Sequence, residues 1–75
     1  MTPEQVEEEV IQLIHRNLFV PFVVEMTDGT MIEILHPRLA INGGGAVFFG
    51  PEGGLVDFEF ELVRALRPLT AETVS

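Results

Sequence analysis

The sequence predicts an α+β fold that is mainly β. One N-terminal helix precedes a five-stranded antiparallel meander, left as an open sheet or closed into a small barrel. Three observations predict it. Apolar residues recur at helical spacing as far as Ile14 and alternate from Phe19 onward. Asp28-Gly29 falls between two β-rich runs, which is a strong hairpin signal. Two glycine-rich turns, Asn42-Gly43-Gly44-Gly45 and Gly50-Pro51-Glu52-Gly53-Gly54, then divide the remaining apolar chain into short strands.

The helix is expected over residues 3–16. Thr2 suits the N-cap, and Pro3 suits the first helical position, where a missing N–H loses nothing. Gln5 follows Thr2 at the capping-box spacing. Glu4, Glu7, Glu8 and Glu9 set negative charge near the positive end of the helix dipole. Val6, Val10, Leu13 and Ile14 form one apolar stripe with Ile11 at its edge, and His15 and Arg16 close the helix. The acidic run reads as a solvated helix face.

The sheet is expected over residues 19–68. In the first strand Phe22, Val24 and Met26 share one face, and Val23 and Glu25 the other. Residues 31–36 return, with Ile32 and Ile34 on one side and Met31, Glu33 and Leu35 on the other. Pro37 ends that strand's regular pairing because it brings no donor, and residues 38–41 continue extended after a kink. Residues 46–49 form a third strand. Residues 55–62 alternate cleanly: Val56, Phe58, Phe60 and Leu62 face inward, and Asp57, Glu59 and Glu61 face water. A tight turn at Leu62-Val63 leads to a last strand over residues 64–67, stopped by Pro68. The tail over residues 70–75 is expected to fray. No repeat or linker divides the 75 residues, so they form one domain.

Composition narrows the function. A domain of this size buries only about 60% of its unfolded surface, so small scaffolds commonly add a staple. There is no cysteine, which removes disulfides and thiolate metal sites. A self-association interface is therefore an expected staple. The chain is 47% hydrophobic, with mean hydropathy +0.33, yet no apolar run approaches the roughly 20 residues of a membrane span. Met1-Thr2-Pro3-Glu4 lacks the pattern of a secretory signal, so the cytoplasm is the expected location. Net charge is −8, and every cation apart from the two histidines is one of four arginines, Arg16, Arg38, Arg64 and Arg67. That balance opposes both nucleic acid and anionic membrane surfaces.

Chemistry-bearing constellations are few. The glycine clusters are followed by no helix and carry no phosphate-loop spacing, so they read as hairpin turns. His15 and His36 have no metal-ligand spacing. His15 reads as a solvated helix-end cation, and His36 as a strand-end side chain bonded to a nearby backbone carbonyl. Cysteine, lysine and tyrosine are absent and the only serine is Ser75, so nucleophiles are scarce. No catalytic residue, metal ligand or cofactor is expected. The most informative feature is Phe48-Phe49. In a strand, one of these must face away from the core. Either the helix covers that second face, or an exposed phenylalanine near Met31 and Leu35 marks a partner surface.

Two resemblances rest on these residues. The chain resembles a group of small uncharacterised bacterial proteins that begin with a short helix. They continue as Pro-Phe, an alternating strand, Asp-Gly, a second strand and His-Pro, here Pro21-Phe22, Asp28-Gly29 and His36-Pro37. The match covers most of the chain and implies no established activity. More distantly, the layout is similar to the Sm-like small barrel, an SH3-like fold. Asp28-Gly29 stands at its first turn, and residues 62–68 at its final turn and strand. That resemblance implies rings built by pairing the residue 55–62 strand of one subunit with the residue 64–67 strand of the next. The RNA-binding signatures of Sm proteins, including the late Arg-Gly, are not present.

The expectation is a non-catalytic assembly or protein-binding module, self-associating or bound to another protein. Its interface candidates are Met31, Leu35, Phe48 or Phe49, and the strand edges at Leu55 and Arg64. The alternatives are an Sm-like RNA-binding protein and, more weakly, a metal or enzymatic site built on His36 and carboxylates.

Overall fold

Helix α1 (Pro3–Ile14) begins where the capping residues place it. Gln5 N–H donates to Thr2 Oγ1 at 3.2 Å, and Thr2 N–H donates back to Gln5 Oε1 at 3.1 Å. These bonds satisfy two donors that a helix start otherwise leaves open. The computed structural model describes residues 2–50 and 52–69; the tail expected to fray lies outside them. Val6, Val10 and Ile14 are the buried stripe. The helix ends two residues short of the expected 3–16 span. His15 is its C-cap, with its N–H bonded to the Ile11 carbonyl, and Arg16 lies beyond.

Six strands follow: β1 (Phe22–Met26), β2 (Met31–Ile34), β3 (Ala40–Asn42), β4 (Gly45–Phe49), β5 (Leu55–Glu59) and β6 (Val63–Pro68). They form two three-stranded antiparallel sheets, ordered β2-β1-β6 and β3-β4-β5. The α+β, mainly β class holds. The five-stranded meander and the closed barrel do not, for three physical reasons.

First, Pro37 splits the second strand. β2 stops at Ile34, and the chain re-forms β3 in the other sheet. Second, residues 55–62 are not one strand. β5 ends at Glu59, and Phe60–Leu62 make a 3-10 turn, η1. Three residues per turn place Phe60 and Val63 inward and roll Leu62 out to solvent. Leu62, expected inward, is therefore exposed. Third, η1 carries the chain from one sheet to the other, so β6 pairs with β1 rather than with β5. The Phe60 N–H donates to the Gly44 carbonyl at 2.9 Å, and the Thr27 N–H to the Leu62 carbonyl at 2.8 Å, which ties η1 to both sheets. Among the described residues no ladder joins the two sheets, so no barrel closes.

The β1–β2 hairpin turns as its Asp-Gly signal predicts. Gly29 has φ +92°, a conformation costly for any residue with a Cβ. The Thr30 N–H donates to Asp28 Oδ1 at 2.9 Å. This backbone bond, with a further one from the Thr30 side chain, holds the Asp28 carboxyl below its ordinary value. A depressed folded pKa contributes stability above the unfolded pKa of about 3.9, and that stability is lost as pH falls through the folded value. Melting curves of wild type and Asp28→Asn are therefore expected to differ at neutral pH and to converge as acid protonates Asp28. A constant offset across that range would contradict this role.

The core lies between the sheets and beneath α1. Phe22, Val24 and Met26 from β1 meet Ile34, Ala46, Phe48 and Phe58, and the helix packs on η1 and β6.

Candidate protein-binding surface

Strand alternation settles the Phe48-Phe49 question. Ala46 and Phe48 of β4 turn into the core, and Phe49 turns out. On β5, Val56 and Phe58 face inward, and Leu55, Asp57 and Glu59 face outward. Phe49 pairs with Leu55 across the β4–β5 ladder. They stand side by side on the outer face, 64% and 69% exposed. The helix does not cover this face.

Met31 and Leu35 are also more than half exposed, on the outward side of β2 with Glu33 between them. Among the described residues no other element covers them. Together with His36, Phe48 and Val56 they line a groove of about 450 Å³ between β2 and β5. Phe48 thus belongs to the floor of this groove rather than to an exposed face.

His36 spans the junction of the sheets. Its Nδ1 accepts the Arg38 backbone N–H at 3.2 Å. With Nδ1 accepting, the neutral ring carries its hydrogen on Nε2 and donates it to the Phe49 carbonyl at 3.3 Å. The ring meets Phe48 edge-on, centroids 6.1 Å apart. This is the carbonyl-bonded strand-end role expected from the sequence. Among the described residues, no group of three His, Cys, Asp or Glu side chains could hold a metal ion. His15 is exposed at the helix end.

Arg64 stands on β6, an edge strand of the first sheet, and its side chain lies toward Glu25. The β1–β6 register shifts between Glu25 and Met26, so Ala65 opposes Glu25, Val63 opposes Met26, and Arg64 is the extra, bulged residue. The bulge keeps Val63 in the core and leaves Arg64 beside Glu25. Arg67 Nη2 lies 2.8 Å from Glu25 Oε1, and Arg64 Nε 3.8 Å from Oε2. The short contact is an ion pair without an aligned N–H, because Oε1 has no hydrogen-bond partner.

Glu25 is only 8% exposed, and sequence reasoning placed it on the outer face without finding its burial. The one available signal was a carboxylate set between Val24 and Met26; the bulge that supplies its partner is not local to it. Both arginine side chains remain 64% exposed, which limits what the pairs contribute. Arg64→Ala with Arg67→Ala strands a mostly buried carboxylate and is expected to destabilise by roughly 2 kcal/mol. Urea titration followed by circular dichroism measures it, and an unchanged midpoint would contradict it.

Among the described residues no helix is long and apolar enough to cross a membrane. No protein-family model, curated protein or solved structure matches the chain.

Proposed function

We propose that this protein is a non-catalytic assembly module that associates with itself through the outer face of the β4–β5 hairpin. The observation that carries the reading is the Phe49–Leu55 pair, two large apolar side chains adjacent across the ladder and both about two-thirds in water. Scattered exposed apolar residues are ordinary, but a cross-strand pair at this exposure is a nucleus for an interface. A symmetric dimer would lay the same pair on its own copy. Stable complexes bury roughly 800 Å² per partner, so neighbouring parts of the hairpin go into the contact with the pair.

The composition supports the same reading. A cysteine-free chain of 75 residues has few internal means of stabilisation, and subunit contact is one it can use. The arginine geometry favours protein over nucleic acid as partner. Two of the four arginines flank Glu25, which offsets their charge toward phosphate. Multi-angle light scattering tests the reading. A dimer or larger assembly is expected at micromolar concentration, and a strict monomer would overturn it.

A further inference from the structure

A second surface lies along one edge of the same hairpin. Among the described residues the edges of the first sheet are β2 and β6 and those of the second are β3 and β5; of these, β2 and β5 line a common surface. Between them runs a seam made of two adjoining grooves of about 450 and 500 Å³ that share Ile32. Its floor is apolar: Ile32, Phe48, Val56 and Phe58. Its charged lining is one-signed. Asp28, Glu33, Asp57 and Glu59 reach it, and no arginine does. Arg16 and Arg67 lie along the helix–β6 groove and Arg64 beside Glu25, and Arg38 follows His36 at the end of the seam without lining it.

We propose that this seam docks an extended, positively charged segment of another protein, one that alternates apolar side chains with lysine or arginine. Each part of the seam selects one property of that segment. Two strand edges with unpaired backbone groups favour an extended chain that adds to a sheet. Strand alternation sends every second side chain to the apolar floor. The carboxylates meet the residues that remain, and complementary charge sets both specificity and encounter rate. A second copy laid on this seam brings the same carboxylates to it, and nucleic acid brings phosphates, so both meet local repulsion here.

The probe is a fluorescein-labelled octapeptide alternating valine and lysine, followed by anisotropy. Saturable binding is expected at low ionic strength, weakened at about 0.5 M salt, where charges are screened within a few ångströms. Glu33→Lys, on the opposite side of the seam from the Phe49–Leu55 pair, is expected to weaken it about tenfold, since it replaces an attraction by a repulsion. Glu33 is exposed, and a melting curve confirms that the variant folds. Glu8→Lys, on the exposed face of α1, makes the same change in net charge and is expected to leave affinity within about twofold, because it lies away from the seam.

Equal loss in Glu8→Lys would reduce the effect to net charge and overturn the proposal. So would equal binding of a serine–lysine peptide, which has nothing for the floor, or of a valine–glutamate peptide. Retention of polyuridylate by the wild type, or a change of oligomeric state in Glu33→Lys, would assign the seam to nucleic acid or to a second copy instead. The inference stands apart from self-association. A monomer that binds the valine–lysine peptide removes only the Phe49–Leu55 dimer, and a dimer that ignores the peptide removes only the seam.

Discussion

Phe60→Ala is expected to destabilise the domain by about 4 kcal/mol, as deleting a fully buried phenylalanine does. Phe60 is almost wholly buried where η1 meets helix α1, and its ring meets Phe58 edge-on with centroids 6.0 Å apart. Truncation opens a cavity at the one place where the helix, the β4–β5 sheet and the crossover to β6 come together. A domain of this length holds about 4–11 kcal/mol in all. The variant should therefore lose at least about a third of that stability. Tyrosine and tryptophan are absent, so far-UV circular dichroism in urea is the suitable readout. A midpoint within about 1 kcal/mol of wild type would mean that the helix is not anchored through η1.

Gly45→Ala is the second large effect, about 3 kcal/mol. Gly45 opens β4, opposite Asn42 on one side and Glu59 on the other. A Cβ there would run into the Phe58 carbonyl oxygen and come within 3.2 Å of its carbon and 3.3 Å of the Glu59 Cα. These are backbone atoms of the neighbouring strand, so no side chain can swing away to relieve the clash. The β4–β5 ladder must part at the end nearest η1. Gly43 and Gly44, in the same turn, have open space around the equivalent position. Gly43→Ala and Gly44→Ala are expected to stay within about 0.5 kcal/mol of wild type. Equal sensitivity at all three glycines would contradict the close-approach account.

These two residues mark the limit of what the sequence disclosed. The helix start was legible because Thr2, Pro3 and Gln5 act on one another over three residues. The β1–β2 turn was legible because Asp28 and Gly29 carry their own chemistry. Phe49 was legible as one half of a choice, since alternation in a strand sends adjacent phenylalanines to opposite faces. The residue 55–62 run was misread for an equally definite reason. Val56, Phe58, Phe60 and Leu62 satisfy a period of two, but Phe60 and Val63 also satisfy the three-residue turn of η1. Only the return of β6 to β1 decides between them, and that pairing joins Phe22 to Pro68 across most of the chain. The same long-range pairing creates the bulge at Arg64, so the Glu25 ion pairs were out of reach as well. Of the binding surface, the residue types were readable and their grouping was not. Met31 and Leu35 fall along the seam with Phe48, and Phe49 and Leu55 fall on the opposite face.

The Phe49–Leu55 face is proposed to hold copies of the chain together. Sedimentation equilibrium of wild type and Phe49→Asp at matched concentrations distinguishes the outcomes. Phe49 is exposed, so the substitution is expected to leave the monomer folded and to remove only the stability that association adds. A concentration-dependent dimer or larger species is expected for wild type and a monomer for the variant, with the same circular dichroism spectrum. An assembly of the same mass in both proteins would contradict it.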